Sequence, residues 1–301
     1  MALTTLYAWA VPAFISESPV DHTWVTTYDN RVTNFPDDQA VAAAGQSYWY
    51  CWGSFHPSGG VPGNPTGLLG HKAGDVVFAS CLVQPNADSR TTAAARGTIF
   101  TYGLDGVCHQ LANQVLYATG KGGSAPLTVS AARGYMASVF IYGTYGLQHA
   151  AWANKLATCG GSPVAPAARR GRAASRQPRR GAMTGALDDF ETRARAVLGK
   201  SHPGKLAELL SLRADTIRFA AQRWPGLSAP GAEALNARNQ HLIDQAAALL
   251  RADHFRKIFG FEPGTKLTLV DPNMLASDGG RGKPAAPSSR KGSKVSPKRR
   301  K

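Results

Sequence analysis

The first 160 residues alternate short apolar or aromatic runs with turn-forming clusters. Residues 3–11 are rich in β-formers and stop at Pro12, and residues 21–28 repeat that character with His22 near their start. On a strand His22, Trp24 and Thr26 share one face, because side chains alternate. Residues 29–45 read as a loop with a small helix over 39–44. An aromatic strand is expected over 47–56, ended by Pro57. Residues 57–70 carry five glycines and three prolines and read as an irregular loop. Strands are expected over 73–83 and 97–103, joined by a polar connection. Between Asp105 and Gly120 the period changes: Leu111, Ala112, Val115 and Leu116 recur at helical spacing. Asp105 is the expected N-cap and Gly120 the expected stop. Residues 131–142 read as strand or mixed structure and 148–156 as a helix, closing this part of the chain.

Residues 161–185 are rich in Gly, Pro, Ala and Arg and read as a linker. Beyond it the pattern is helical. One helix is expected over 187–198. A second is marked by Leu206, Leu210, Ile217, Ala221 and Trp224 between Pro203 and Pro225. A third is marked by Leu235, Leu242, Ile243, Ala246, Leu249, Leu250 and Phe255. A short cap with Pro263-Gly264 as a turn follows, and from residue 276 composition predicts disorder. The fold class is therefore α+β. The expected division is a cysteine-bearing domain over 1–160, a linker over 161–185, a helical accessory region over 186–275 and a basic tail over 276–301.

Charge sharpens this division. The chain has 301 residues and a formal net charge of +15. Six arginines lie in residues 167–181 and nine Lys or Arg in residues 279–301, with no acid in either stretch. Together they account for the whole excess. Residues 1–166 carry seven basic against eight acidic side chains, and residues 182–278 twelve against eleven. Basic residues gathered outside the folded elements argue against a built DNA-reading face. They fit non-specific contact with a polyanion or a membrane surface. No run of about 18 apolar residues predicts a transmembrane helix, and residues 1–14 lack the positive start of a secretory signal. Four widely spaced cysteines, Cys51, Cys81, Cys108 and Cys159, are expected to be mostly reduced.

The chemistry centres on Cys108. A thiol in the first turn of a helix feels the positive end of the helix dipole, which favours thiolate, whereas the charge of Asp105 opposes it. A cysteine nucleophile needs a base, and imidazole supplies one. His22 is the preferred partner. A lone cysteine on a helix is also an ordinary core residue, and His109, His56 and His71 each have a bland reading as capping or loop histidines. A zinc site from Cys51, His56, His71 and Cys81 lacks the close pairs that structural zinc prefers. No cofactor or metal is expected.

At His22-Thr23-Trp24-Val25 and Gly106-Val107-Cys108-His109-Gln110 the chain resembles the circularly permuted papain-like group related to NlpC/P60 peptidases, in which the histidine strand precedes the cysteine helix. The resemblance implies an antiparallel sheet with a cysteine-bearing helix. It also implies a hydrolase or acyltransferase that acts on a peptide or acyl-containing substrate through a thioacyl intermediate. Cys108 would be its nucleophile and His22 its base. Ser54 and His56 are the nearest candidates to orient His22, and His56 is the expected third member. A competing likeness uses Cys108 with His149, the order of the transglutaminase-like core, with Asn154 in place of the missing acid. The alternative from another class is a non-enzymatic interaction protein that holds an anionic partner through its basic linker and tail.

Overall fold

The computed structural model describes residues 2–13, 18–29, 44–49, 67–85, 101–120, 124–147, 149–160, 188–222 and 231–272. Among them run four strands, β1 (Leu3–Pro12), β2 (Asp21–Thr26), β3 (Tyr48–Trp49) and β4 (Gly67–Asp75). The eight helices are α1 (Val76–Leu82), α2 (Cys108–Leu116), α3 (Tyr135–Tyr142), α4 (His149–Thr158), α5 (Asp189–Leu198), α6 (Pro203–Ala220), α7 (Ala232–Leu249) and α8 (Ala252–Phe259). The architecture is α+β, and its sheet is antiparallel in the order β3-β2-β1-β4.

The sheet has two unlike faces. Register pairs Ala10 with Thr23, Ala8 with Val25 and Ala8 with Gly70. These small side chains make a shallow face on which α2 lies against β2 and β1. Where the 3-10 turn Tyr117–Gly120 that follows α2 meets β4 the packing is close: a Cβ on Gly74 would stand 2.7 Å from Leu6 Cδ1 and 3.1 Å from Thr119 Cγ2. The opposite face is aromatic. It carries Tyr7, Trp9, Trp24 and His71, with Tyr7 stacked on Trp9 and on His71 at 6.2 and 5.7 Å. Trp9 Nε1 donates to Thr26 Oγ1 at 2.8 Å, satisfying a buried indole within that face.

Four sequence expectations change. The strand expected over 73–83 ends at Asp75, whose carboxylate accepts from Val77 N and Phe78 N and starts α1. Capping outweighs the β-preference of Val76 and Val77. Strand β4 in turn begins at Gly67, inside the stretch expected to be irregular. Residues 135–142, read as strand or mixed structure, form α3, and every side chain of that helix is buried. A helix packed on all sides has no polar stripe, so its period is invisible in the sequence. The third C-terminal helix is two, α7 and α8, broken at Leu250 and Arg251.

Helix α3 also joins what the sequence reads as separate parts. It packs on α2 on one side and on α5, α6, α7 and α8 on others. Phe140 meets Phe190 of α5 at 5.1 Å and Phe259 of α8 at 5.5 Å. Tyr142 donates to Gly103 O at 2.8 Å and accepts from Asn239 Nδ2 at 2.9 Å. One hydrophobic core therefore runs from the sheet through α3 into the C-terminal helices. None of the described helices is long and apolar enough to cross a membrane.

Candidate functional site

Helix α2 begins at Cys108, but Asp105 is not its cap. Val107 occupies the N-cap position, and its N–H is bound at 3.0 Å by Oε1 of Gln110, three residues on. The Asp105 carboxylate instead accepts from Thr101 N at 2.9 Å, which holds the turn before the helix. The helix runs to Leu116 and passes into a tight 3-10 turn, Tyr117–Gly120, so Gly120 ends it as the sequence suggests.

Cys108 is 6% exposed and faces the start of β2. Its thiol donates to Asp21 O at 3.8 Å. Burial pushes its pKa up to about 11, and the charge of Asp21 pushes the same way. Contacts from the Thr23 backbone and hydroxyl and from the His109 backbone offset only part of this. At pH 7 roughly one Cys108 side chain in ten thousand is then thiolate. Desolvation exceeds any help from the helix dipole at this position.

Thr23 fixes which side of the strand the thiol meets. It points to the α2 face, so His22, its neighbour in β2, points to the aromatic face. There His22 is opposite Val11 in register and its ring stacks on Trp24 at 5.8 Å, 20° from parallel. His22, expected from the sequence as the partner of Cys108, therefore stands on the other side of β2. The strand brings both residues to one end of the sheet and places them on opposite faces.

The imidazole beside Cys108 is its chain neighbour His109, and it is committed elsewhere. Nε2 lies 2.9 Å from Asp21 O and Nδ1 lies 2.9 Å from Ser138 Oγ. Burial lowers its pKa to about 4, against raising contributions from Asp21. Nε2–H donates to the Asp21 carbonyl, and Nδ1 lies against the Ser138 hydroxyl, which itself donates to Tyr135 O at 2.8 Å. His109 thus bolts α2 to β2 and α3. The folded pKa lies below the unfolded value of about 6.5, so the unfolded chain binds the extra proton first. The stabilisation from keeping this ring neutral is complete above pH 6.5 and is lost as pH falls towards 4, by about 3 kcal/mol. His109→Gln is expected to flatten that stretch of the stability–pH curve, measured by urea unfolding between pH 4 and 7.

Three polar neighbours on α2 complete this interior network. Asn113 Nδ2 donates to Tyr135 Oη at 2.8 Å and Thr144 O at 2.9 Å, and its Oδ1 accepts from Val129 N at 3.0 Å. Gln110 Nε2 donates to Gly143 O at 3.1 Å, and Gln114 Nε2 to Tyr145 O at 2.8 Å. Tyr135 Oη in turn donates to Asp189 Oδ2 at 2.6 Å. Burial and the Asp189 carboxylate hold that phenol well above its ordinary pKa. Asp21 is clasped by Arg133, whose Nε and backbone N donate to its two carboxylate oxygens at 2.8 and 2.9 Å. Asp21 and Arg133 escaped the sequence reading because they are 112 residues apart and neither sits in a motif. Asn113 carried a signal: a polar residue between apolar positions of a helix is either exposed or bonded inside.

His56, Ser54 and Cys51 lie outside the described residues. His149 is the first residue of α4. The expectation of reduced cysteines is corrected for two of them: Cys81 and Cys159 form a disulfide, with Cα atoms 5.7 Å apart. Oxidation removes Cys81 as a thiolate ligand, which breaks the zinc set weighed from the sequence. Among the described residues no three His, Cys, Asp or Glu side chains are grouped to hold a metal ion. His71 stacks on Tyr7 instead. As arranged, the residues around Cys108 are suited to cross-bracing α2, β2 and α3, with a buried thiol among them. No protein-family model, curated protein or solved structure matches this chain.

Proposed function

We propose that the protein is a non-enzymatic interaction protein that holds an anionic partner through its basic segments, with the α+β body as their scaffold. The observation that carries this reading is the location of the charge: the entire excess of +15 falls in residues 167–181 and 279–301. Clustered Lys and Arg bind a polyanion by releasing its condensed counterions, so affinity falls steeply with salt. In the body, the Cys108 thiol is buried and burial pushes its pKa up to about 11. The test is binding of heparin and of short duplex DNA by the full chain, by a chain ending at residue 278, and by a chain with the six arginines of 167–181 changed to Gln. Each deletion of charge is expected to weaken binding at least tenfold at low salt and to flatten the plot of log affinity against log salt. Equal affinity of all three chains, or a slope that does not change, rejects the reading.

The papain-like reading, a cysteine hydrolase or acyltransferase, is the second. It is supported by the placement of Cys108 as the first residue of a helix laid on an antiparallel sheet whose β2 strand carries His22. It requires the thiol to ionise near neutrality and an imidazole to reach the α2 face. In that case Cys108 attacks a carbonyl, His22 carries the proton, and backbone N–H groups at the start of α2 bind the oxyanion.

A further inference from the structure

Helix α4, which precedes the basic stretch 167–181, is held differently from α5, which follows it. Two of its side chains reach the core. Trp152 lies parallel to Tyr145 at 5.8 Å and edge-on to Tyr117 at 5.9 Å, and Leu156 is buried beside them. Among the described residues no hydrogen bond or ion pair ties α4 to the body. The bonds of Thr158 return to Asn154 and Lys155 of the same helix, and the buried Trp152 indole N–H has no hydrogen-bond partner. Helix α5, by contrast, is fixed at its start: Asp189 accepts from Thr128 and Tyr135, and Asp188 pairs with Arg213. A ten-residue helix is marginal on its own in water, so two apolar side chains dock α4 weakly.

The remaining tie is covalent. Cys159, one residue past α4, is joined to Cys81 near the end of α1. Helix α1 is a firm anchor, with Phe78, Ala79 and Leu82 buried, the Asp75 cap at its start and Trp49 Nε1 donating to Val83 O at its end. Cys81 is exposed and Cys159 half-buried, so the bond is open to a reagent from solvent. Exposed disulfides are the exchangeable ones.

We infer that the Cys81–Cys159 disulfide is a reducible clasp for α4, a thiol–disulfide exchange site opened by a dithiol reductant. One thiolate of the dithiol attacks the exposed Cys81 sulfur. The S–S bond breaks, and Cys159 leaves as a thiolate that takes up a proton. The second thiolate of the reductant then breaks the mixed disulfide and frees Cys81, which is protonated in turn. The protein gains two electrons and two protons, and the dithiol becomes a disulfide. Opening the clasp releases α4 from Tyr117 and Tyr145 and leaves α2, α3 and the sheet in place. The inference does not rest on the anion-binding reading.

Hydrogen exchange read by mass spectrometry tests this on the full chain, oxidised and after dithiothreitol, with free thiols counted by mass. Amides of residues 149–158 are expected to exchange at least tenfold faster after reduction, while those of 108–116 and 135–142 keep their rates. A C81S/C159S chain is expected to match the reduced protein and to ignore the reductant. Unchanged protection of 149–158 with both thiols free overturns the inference. Equal loss of protection in α2 and α3 overturns it too, because the bond would then be a staple of the whole fold.

Discussion

A chain ended at residue 160 is expected to lose cooperative folding. The reason is α3. Its eight residues are buried all round, and much of what buries them comes from beyond residue 188. Phe140 rests between Phe190 and Phe259. Arg213 donates to Val139 O at 3.2 Å, and Asn239 donates to Tyr142 Oη. Tyr135 loses Asp189 as acceptor in the shortened chain. Each large apolar side chain returned to water costs about 2 kcal/mol, and a domain holds only about 5–15 kcal/mol in total. Exposing one flank of α3 therefore removes most of that margin. The shortened chain is expected to show no sharp thermal transition and no near-ultraviolet circular dichroism. A fragment 1–160 that melts as sharply as the full chain would show that the two parts are independent. Phe140→Ala in the full chain gives a graded version, with an expected loss of about 3–5 kcal/mol in urea unfolding.

The second large effect is expected from Asn113→Leu. The residue is fully buried and makes three bonds, two as donor and one as acceptor. Leucine fills a similar volume and supplies none of them. Val129 N–H and Thr144 C=O are then left without their partner in the interior, at about 1–3 kcal/mol each. Tyr135 Oη also loses the donor that balances its short bond to Asp189. The expected cost is about 4 kcal/mol, seen as a lower urea midpoint with an unchanged slope. Gln114→Leu removes one hydrogen bond, to Tyr145 O, and is expected to cost less than half as much. Equal costs for the two variants would mean that volume, not bonding, governs this helix.

Parts of this arrangement were legible and parts were not, for physical reasons. Residues 3–12 and 21–26 read as strands because β-formers are bounded by Pro12 and a turn-rich segment, and α2 read as a helix from four apolar positions. The sharing of one face by His22 and Trp24 follows from alternation alone. Which face would receive α2 does not follow from β2 by itself. The signal lay in the neighbouring strands, where Ala8, Ala10 and Gly70 leave room for a helix while Tyr7 and Trp9 do not. Read together, they place Thr23 against Cys108 and His22 away from it. The junction at Asp75 was hidden because Val76 and Val77 look like strand residues and only the cap decides. Helix α3 was hidden because burial on every side erases the amphipathic period. The disulfide was hidden because residues 78 apart carry no spacing rule, and the reach of α3 into the C-terminal helices depends on contacts such as Phe140–Phe190 that no local pattern encodes.

The state of the sulfur at position 108 separates a structural thiol from a nucleophile. The decisive measurement is the rate of iodoacetamide modification of Cys108 in the native, oxidised chain across pH 6–10, read by mass spectrometry of its peptide, with the urea-unfolded chain as reference. A pKa of about 11 in place of 9.0 predicts modification at pH 7 at least about 100-fold slower than in the unfolded chain, still climbing at pH 10. A rate above that of the unfolded chain, levelling off below pH 7, would mean an ion-paired thiolate and would contradict the account.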